Sequence, residues 1–146
     1  MNLKDIKDLC EKHNIKVSGD HIEFNKSTPD FHITKNFKLH EFLTKNTKDT
    51  ATKINLQLIL ELQNLRNLFG SPVGISSSYR SPSYNKSVNG ATSSQHIFGN
   101  ALDTYPLNGD IKGWITTVVK YKKFGGVGQY KTFCHIDCGA TRFWRG

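Results

Sequence analysis

Two long segments of the chain carry apolar residues at helical spacing. In the first, the apolar positions are four, four, three and four residues apart: Ile54, Leu58, Leu62, Leu65 and Phe69. In the second they recur after a capping Asp110: Ile111, Trp114, Ile115, Val118 and Val119. Both patterns predict amphipathic helices that pack on a core rather than form a seam for a partner. Gly70, with Pro72 beyond it, marks the end of the first helix.

Residues 1–35 are predicted to form an appendage, and residues 36–146 the main domain. The appendage begins with a short amphipathic helix over residues 2–13. A small hairpin over residues 15–24 follows, with a three-residue loop at 18–20. Residues 25–35 are polar and contain a proline, so they predict a connector. The histidines of this region are expected to be solvated or locally hydrogen-bonded: His13, His21 and His32.

Loops and short elements separate the two long helices. Residues 44–53 predict a polar loop that ends in candidate helix caps: Asp49, Thr50 and Thr52. Residues 73–79 have strand composition and lead to Arg80. Ser81 and Pro82 then cap and open a short helix that runs to Val88.

Alternation with period two predicts two strands that carry polar side chains. After a turn at Gly99, Asp103 shares a strand face with Ala101 and Tyr105. Near the end of the chain, His135 shares a face with Phe133 and Asp137. The opposite face of that second strand carries Cys134, Ile136 and Cys138. The glycines at 125, 126 and 128 predict close backbone approach into the last strands, and Phe143 and Trp144 are expected to pack on the domain or line a groove.

These two strands and the preceding turn bring together residues that suit zinc. His96, Asp103 and His135 provide two imidazoles and a carboxylate, which leaves a fourth coordination position for water, as in catalytic zinc sites. A second possibility is a structural zinc held by Cys134 and Cys138 with His135. Strand alternation opposes it, because both sulfurs would point away from the imidazole.

Composition limits the class of protein and the compartment. The 146 residues are 36% hydrophobic and 22% charged, which fits one globular domain with a modest core. The net charge of +8 suits nucleic acid, an anionic membrane or an anionic wall polymer. No helix-turn-helix or zinc-finger spacing is present, which argues against nucleic acid.

No apolar run approaches the roughly 20 residues of a membrane span, so no stable membrane insertion is expected. No signal peptide is recognised at the start, and three cysteines suit a reducing compartment, so synthesis in the cytoplasm is expected.

Several motifs together resemble a known family. They are Tyr79-Arg80-Ser81-Pro82, Ser94-x-His96-x-x-Gly99-x-Ala101-x-Asp103, Gly125-Gly126-Val127-Gly128 and Cys134-His135-Ile136-Asp137. This set resembles the zinc D-Ala-D-Ala carboxypeptidases, whose wider group includes L-alanyl-D-glutamate endolysins of bacteriophages and the hedgehog signalling domain. The resemblance implies one zinc per chain and bacterial peptidoglycan as the partner. The fold expected is α+β, a small antiparallel sheet with helices packed on one side and the zinc on the open face.

The resemblance also implies roles for residues around the metal. The arginine that matches Arg80 binds substrate or stabilises developing negative charge, and Ser94 and Gln95 are predicted to contact ligands or substrate. Many relatives place an acidic base three residues before the third ligand, where this chain has Thr132. The carboxylates after Glu61 are Asp103, Asp110 and Asp137. Asp103 is assigned to the metal and Asp110 to a helix cap, so Asp137 remains, with two roles open for it: catalytic base, or orientation of a ligand histidine.

The expected function is hydrolysis of an amide bond in the stem peptide or cross-link of peptidoglycan. A small monomeric phage or prophage endolysin, reaching the wall after holin-dependent release, fits best. The type of peptidase, D,D-carboxypeptidase or endopeptidase or L-Ala-D-Glu endopeptidase, stays open. The alternative is a hedgehog-like module that carries zinc but acts by binding, which the absence of an acid at Thr132 favours.

Overall fold

The computed structural model of the chain describes residues 1–48 and 51–146. The helices are α1 (Leu3–Lys12), α2 (Leu56–Phe69), α3 (Pro82–Ser87) and α4 (Ile111–Tyr121), with short 3-10 helices at Leu39–Phe42 and Gln95–Phe98. The strands are β1 (Val17–Ser18), β2 (His21–Phe24), β3 (Thr52–Asn55), β4 (Val73–Ser77), β5 (Ala101–Pro106), β6 (Gly126–Gln129), β7 (Cys134–Asp137) and β8 (Arg142–Arg145). The predicted α+β class is confirmed.

The larger sheet has five strands in the order β4-β5-β7-β6-β8. The pairs β4–β5, β5–β7 and β6–β7 are antiparallel, as predicted, whereas β8 adds to β6 in parallel. The sheet is therefore antiparallel through its centre and mixed at the β8 edge. The centre of the sheet, β5 beside β7, is the antiparallel pair that carries two of the three predicted metal ligands, Asp103 and His135.

The two long predicted helices are present and pack against each other. Asp110 caps α4 by accepting a hydrogen bond from the amide of Gly113, and α4 packs on β5, β6 and β7. The buried indole of Trp114 donates to Thr104 Oγ1 on β5 at 2.9 Å. Because neighbouring residues of a strand point to opposite faces, Asp103 faces away from this helix. No helix in the described ranges is long and apolar enough to cross a bilayer.

The start of α2 differs from the prediction. Residues Thr52–Asn55 form strand β3, which pairs with β2, and the helix begins at Leu56 after an Asn55 cap. Ile54 is therefore a buried strand residue rather than the first apolar position of the helix. Thr52 is not a cap, because its buried hydroxyl accepts from the amide of Thr44 at 2.8 Å. The other two candidate caps, Asp49 and Thr50, lie outside the described residues.

The N-terminal region joins the rest of the chain through a second, three-stranded sheet. Its hairpin loop has two residues rather than the predicted three, because Ser18 pairs with His21. His21 was expected to be solvated or locally bonded, but its Nε2 lies 2.8 Å from Asn100 Oδ1, next to β5. Residues of α1 and β2 share one hydrophobic cluster with α2 and the larger sheet. The domain boundary at residue 35 stays a prediction.

Strand β8, like β3, is an element that the sequence pattern did not reveal. Phe143, expected to pack on the domain, is 51% exposed, whereas Trp144 contacts Tyr130 and the ring of His135. The glycines before and within β6 allow the close approach that was predicted. A Cβ on Gly126 would overlap the carboxylate of Asp137, and a Cβ on Gly128 would overlap the indole of Trp144.

Candidate metal centre

Three local structures bring the predicted ligands together. His96 lies on the 3-10 turn Gln95–Phe98, which ends at Gly99 in the left-handed conformation with φ of 70°. Asp103 on β5 and His135 on β7 are directly paired across the antiparallel ladder. One ligand atom from each of the three lies within 4.8 Å of the other two, and all three side chains are buried.

The second nitrogen of each histidine fixes its tautomer. His96 Nδ1 lies 2.6 Å from the carbonyl oxygen of Ser78, which can only accept, so this nitrogen carries the proton. His135 Nε2 lies 2.7 Å from the Asp137 carboxylate and donates to it. The remaining nitrogens, Nε2 of His96 and Nδ1 of His135, face Asp103 Oδ1 at 3.3 and 3.0 Å.

Two lone pairs and a carboxylate oxygen therefore converge on one point. With neutral imidazoles, no proton is left to bond them to one another, so a cation there would relieve their mutual repulsion. Histidine ligands whose other nitrogen donates to a carbonyl or carboxylate are typical of zinc sites. Two imidazoles and one carboxylate also match the donor set of open, catalytic zinc sites. The residues present thus fit the metal that the sequence predicts.

The electrostatics of the cluster show the same affinity for positive charge. Burial would raise the pKa of Asp103, but the hydrogen bonds and positive charge that His135 and His96 provide when they are protonated outweigh it and hold that pKa well below its usual range. Burial would lower the pKa of His135, yet its hydrogen bonds to Asp103 and Asp137 raise it overall. Protons and a metal cation therefore compete for the same ligand atoms.

Arg80 lies beside the cluster. Its Nη2 is 3.4 Å from Asp103 Oδ2, its Nη1 donates to Asn85 Oδ1 at 3.1 Å, and its Nε donates to Ser77 Oγ at 3.2 Å. The backbone amide of Arg80 also donates to the carbonyl of His96 at 3.0 Å. These contacts hold the guanidinium at the edge of the ligand cluster, where the sequence predicts it.

Ser94 and Gln95 lie on the turn that carries His96. Ser94 Oγ accepts from the amide of His96 at 3.3 Å, which caps the 3-10 turn. Gln95 Oε1 lies 3.5 Å from Asn100 Nδ2. Both residues line the cavity above the metal ligands, and their predicted contacts with substrate stay predictions.

Asp137 is fully buried and lies behind His135. Its Oδ1 accepts from the backbone amides of Gly126 and Gly139, each at 2.9 Å. Its Oδ2 accepts from His135 Nε2 at 2.7 Å and from Arg142 Nη2 at 2.9 Å. Burial alone would raise the pKa of Asp137, but the hydrogen bond from His135 and the other donors lower it. The carboxylate thus touches the ligand histidine on the side away from Asp103.

A cavity of about 390 Å³ opens over the three ligands. One wall comes from Arg80 and the segment from Val88 to Gln95. Another wall comes from Tyr130, Phe133 and Arg142, which were not predicted at the site, and from Trp144, for which lining a groove was one of two predicted roles. Arg142 and Trp144 are two residues apart, so they share a face if the end of the chain is a strand. This period-two spacing is the signal that could have placed both at the site.

The cysteines do not join the cluster. Cys134 is buried on the helix side of β7, whereas Cys138 is exposed beyond the end of the strand. Among the described residues, the His96, Asp103 and His135 set is the group of histidine, cysteine and acidic side chains that could hold a metal. Burial raises the pKa of Cys134 to about 12, which disfavours the thiolate that zinc requires.

A comparison with protein families identifies the group to which this fold and site belong. The family model described as Peptidase M15 matches residues 35–138, which include all three ligands. The chain belongs to the peptidase M15 family. Membership assigns zinc-dependent peptidase activity on peptidoglycan at the level of the family. No curated protein gave a significant match to the chain. The match ends at Cys138, so the M15 assignment does not rest on strand β8.

Proposed function

We propose that this M15 peptidase is an endolysin that hydrolyses an amide bond in the stem peptide or cross-link of peptidoglycan. The observation that carries the proposal is the convergence of His96 Nε2, Asp103 Oδ1 and His135 Nδ1 beneath an open cavity. Each of these atoms has a lone pair directed at the others. Such a site suits a metal that keeps a free coordination position for chemistry.

These three residues would hold the zinc ion. When bound, zinc supplies a Lewis acid for the scissile carbonyl and lowers the pKa of the attacking water towards about 7. The remaining contributions come from the protein's own side chains. His96 and His135 keep their metal-facing nitrogens unprotonated because Ser78 and Asp137 fix the protons on the other nitrogens.

Arg80 binds the substrate and stabilises the negative charge that develops on the carbonyl oxygen. Its guanidinium is already oriented by Ser77, Asn85 and Asp103, so little reorganisation is needed when the charge appears. Preorganised donors of this kind stabilise a transition state more than the ground state, and removal of one typically costs about 10²–10³-fold in turnover. Ser94 and Gln95 contact the bound peptide along the same wall of the cavity.

For Asp137 we propose the orienting role. Both of its carboxylate oxygens already accept two hydrogen bonds, and the residue does not line the cavity. A catalytic base has to come within hydrogen-bond reach of the water whose proton it takes. The carboxylate instead fixes the proton of His135 on Nε2, which keeps Nδ1 free. The base role stays a separate hypothesis that zinc-binding measurements can distinguish.

The proposal includes the way in which the enzyme reaches its substrate. A monomeric peptidase of phage or prophage origin would be released through a holin-type pore and would then bind the wall. The net charge of +8 favours an anionic wall polymer. Expression in bacteria with and without a co-expressed holin tests this point. Lysis in both cultures, or in neither, would contradict it.

Digestion of purified peptidoglycan tests the hydrolytic function. New amine ends, identified by mass spectrometry, should appear with zinc-loaded protein and should be absent after chelation and in His96→Ala. The mass of the fragments also identifies the bond, which distinguishes a carboxypeptidase from an endopeptidase. Protein that binds one zinc and binds peptidoglycan without producing new amine ends would support the hedgehog-like alternative, which stays open because position 132 holds a threonine where many relatives have an acid.

A further inference from the structure

Arg142 on β8 presents a guanidinium at the rim of the cavity. Its Nη2 donates to Asp137 Oδ2 at 2.9 Å, and its side chain is 51% exposed. The Cζ atom lies 4.6 Å from the centre of the Trp144 ring, so the guanidinium stacks on the indole. Two contacts of different kinds thus fix the position of this cation.

The surface that supports Arg142 is itself fixed. Trp144 Nε1 donates to the Tyr130 hydroxyl at 2.8 Å, and the ring of Tyr130 stacks on Phe133 with 4.3 Å between centroids. The Trp144 ring also lies 5.0 Å from that of His135. A cation held on a rigid aromatic wall loses little conformational freedom when it binds an anion.

The charges around the cavity favour a negatively charged ligand. Arg80 and Arg142 both line it, and Asp103 is the one carboxylate among its described lining residues. Arg80 contacts Asp103 on β5, whereas Arg142 contacts Asp137 on β7, the neighbouring strand. The two guanidinium groups therefore approach the ligand cluster from opposite sides, with His135 between them.

We propose that Arg142 is a specificity-determining residue that binds a carboxylate of the peptide substrate next to the scissile amide. This inference rests on the proposed function and deepens it, since it names an anionic peptide as the substrate class. The hydrogen bond to Asp137 uses one of the five N–H donors of the guanidinium. The planar donor pairs that remain match a carboxylate, which arginine binds in a bidentate manner.

The role is distinct from that of Arg80. Arg80 contacts Asp103, one of the three metal ligands of the proposed site, and lies where charge develops during the reaction. Arg142 lies at the rim and contacts Asp137, so it discriminates between substrates instead of stabilising the reacting carbonyl. Loss of Arg142 should therefore change the preference for charged over neutral substrates.

Matched substrates test this inference. A synthetic stem peptide with free carboxylates is compared with versions in which the carboxylates are converted to amides one at a time. For the zinc-saturated wild type, one of these conversions should lower kcat/KM by about ten- to a hundredfold, because a charge-assisted hydrogen bond is lost. Calorimetric binding to the metal-free protein should show the same preference.

The variants separate recognition from structural damage. Arg142→Met should remove the preference, so that the free and amidated peptides react at the same reduced rate, and Arg142→Lys should retain part of it. Arg145→Met is the matched control, because Arg145 lies on the same strand, is exposed, has the same charge and does not line the cavity. It should leave the preference unchanged.

Each outcome has a separate meaning. If the wild type cleaves neither peptide nor peptidoglycan, the proposed function itself fails. If it cleaves free and fully amidated peptides equally well, the function stands and the role of Arg142 is refuted. Retention of the full preference in Arg142→Met would also refute it. Structural damage alone would lower both rates together and leave their ratio unchanged, so the ratio is the decisive measurement.

Discussion

Replacement of Asp137 by asparagine tests how the metal centre is held. In the native protein, Oδ1 accepts two backbone amides while Oδ2 accepts from His135 and Arg142. The amide oxygen of asparagine can keep the two backbone bonds. Its NH₂ group would then face the N–H groups of His135 and Arg142, which places donors against donors.

His135 can relieve this conflict by moving its proton from Nε2 to Nδ1. Nδ1, which faces Asp103 at 3.0 Å, would then have no lone pair for a metal. Loss of a partner that orients a ligand histidine typically weakens metal binding about 10–100-fold, equivalent to about 1.4–2.7 kcal/mol. We therefore expect Asp137→Asn to raise the dissociation constant for zinc by that factor and excess zinc to restore most of the activity.

Competition with a chromophoric chelator measures the zinc affinity, and turnover is measured over a range of free zinc. Asp110→Asn is the matched control, because that exposed carboxylate caps α4 and asparagine is an equally good cap. It should not change zinc binding. Unchanged zinc affinity in Asp137→Asn, together with a loss of turnover of about 10²–10⁴-fold, would refute our reasoning and assign the base role to Asp137.

Three further predictions concern metal content, wall binding and backbone conformation. Elemental analysis should find close to one zinc per chain, lost in His96→Ala and retained when Cys134 and Cys138 are both replaced by serine; the opposite pattern would move the metal to the cysteines. Added salt should reduce activity on intact peptidoglycan more steeply than activity on a short peptide, because the charge of +8 attracts the polymer and salt screens it; equal sensitivity would exclude charge attraction. Gly99→Ala should lower the free energy of unfolding by at least about 1–2 kcal/mol, since φ is 70° and a Cβ would lie 2.6 Å from the carbonyl oxygen of Lys53; chemical denaturation with an unchanged midpoint would contradict this.

The cluster of candidate metal ligands could be predicted from the sequence because its arrangement depends on local rules. A turn at Gly99 and period-two alternation are enough to put Asp103 on the site face of β5, and the same alternation puts His135 on the site face of β7. The long helices were predictable for a similar reason, since each shows several repeats of its apolar stripe. Residue spacing could not supply the hydrogen-bond partners that fix each imidazole.

The features that were missed depend on contacts between distant parts of the chain. Strands β3 and β8 have no local signal of their own, because each becomes a strand only by pairing with a distant segment, β3 with β2 and β8 with β6. β8 is defined by its parallel pairing with β6, and His21 contacts Asn100, which is 79 positions away. Trp144 joins the aromatic wall of the cavity through the pairing of β8, so the sequence alone left lining a groove as one of two possible roles for it.

The two faces of β5 have different consequences for how this sequence can change. Leu102 and Thr104 support α4 and the core, whereas Asp103, one position away, belongs to the metal cluster. Substitutions on the core face should therefore change stability, and substitutions on the other face should change chemistry. Insertion of one residue would exchange the faces and damage both at once. Evolution of this enzyme should proceed by replacement within β5 and by changes of length only in the loops around it.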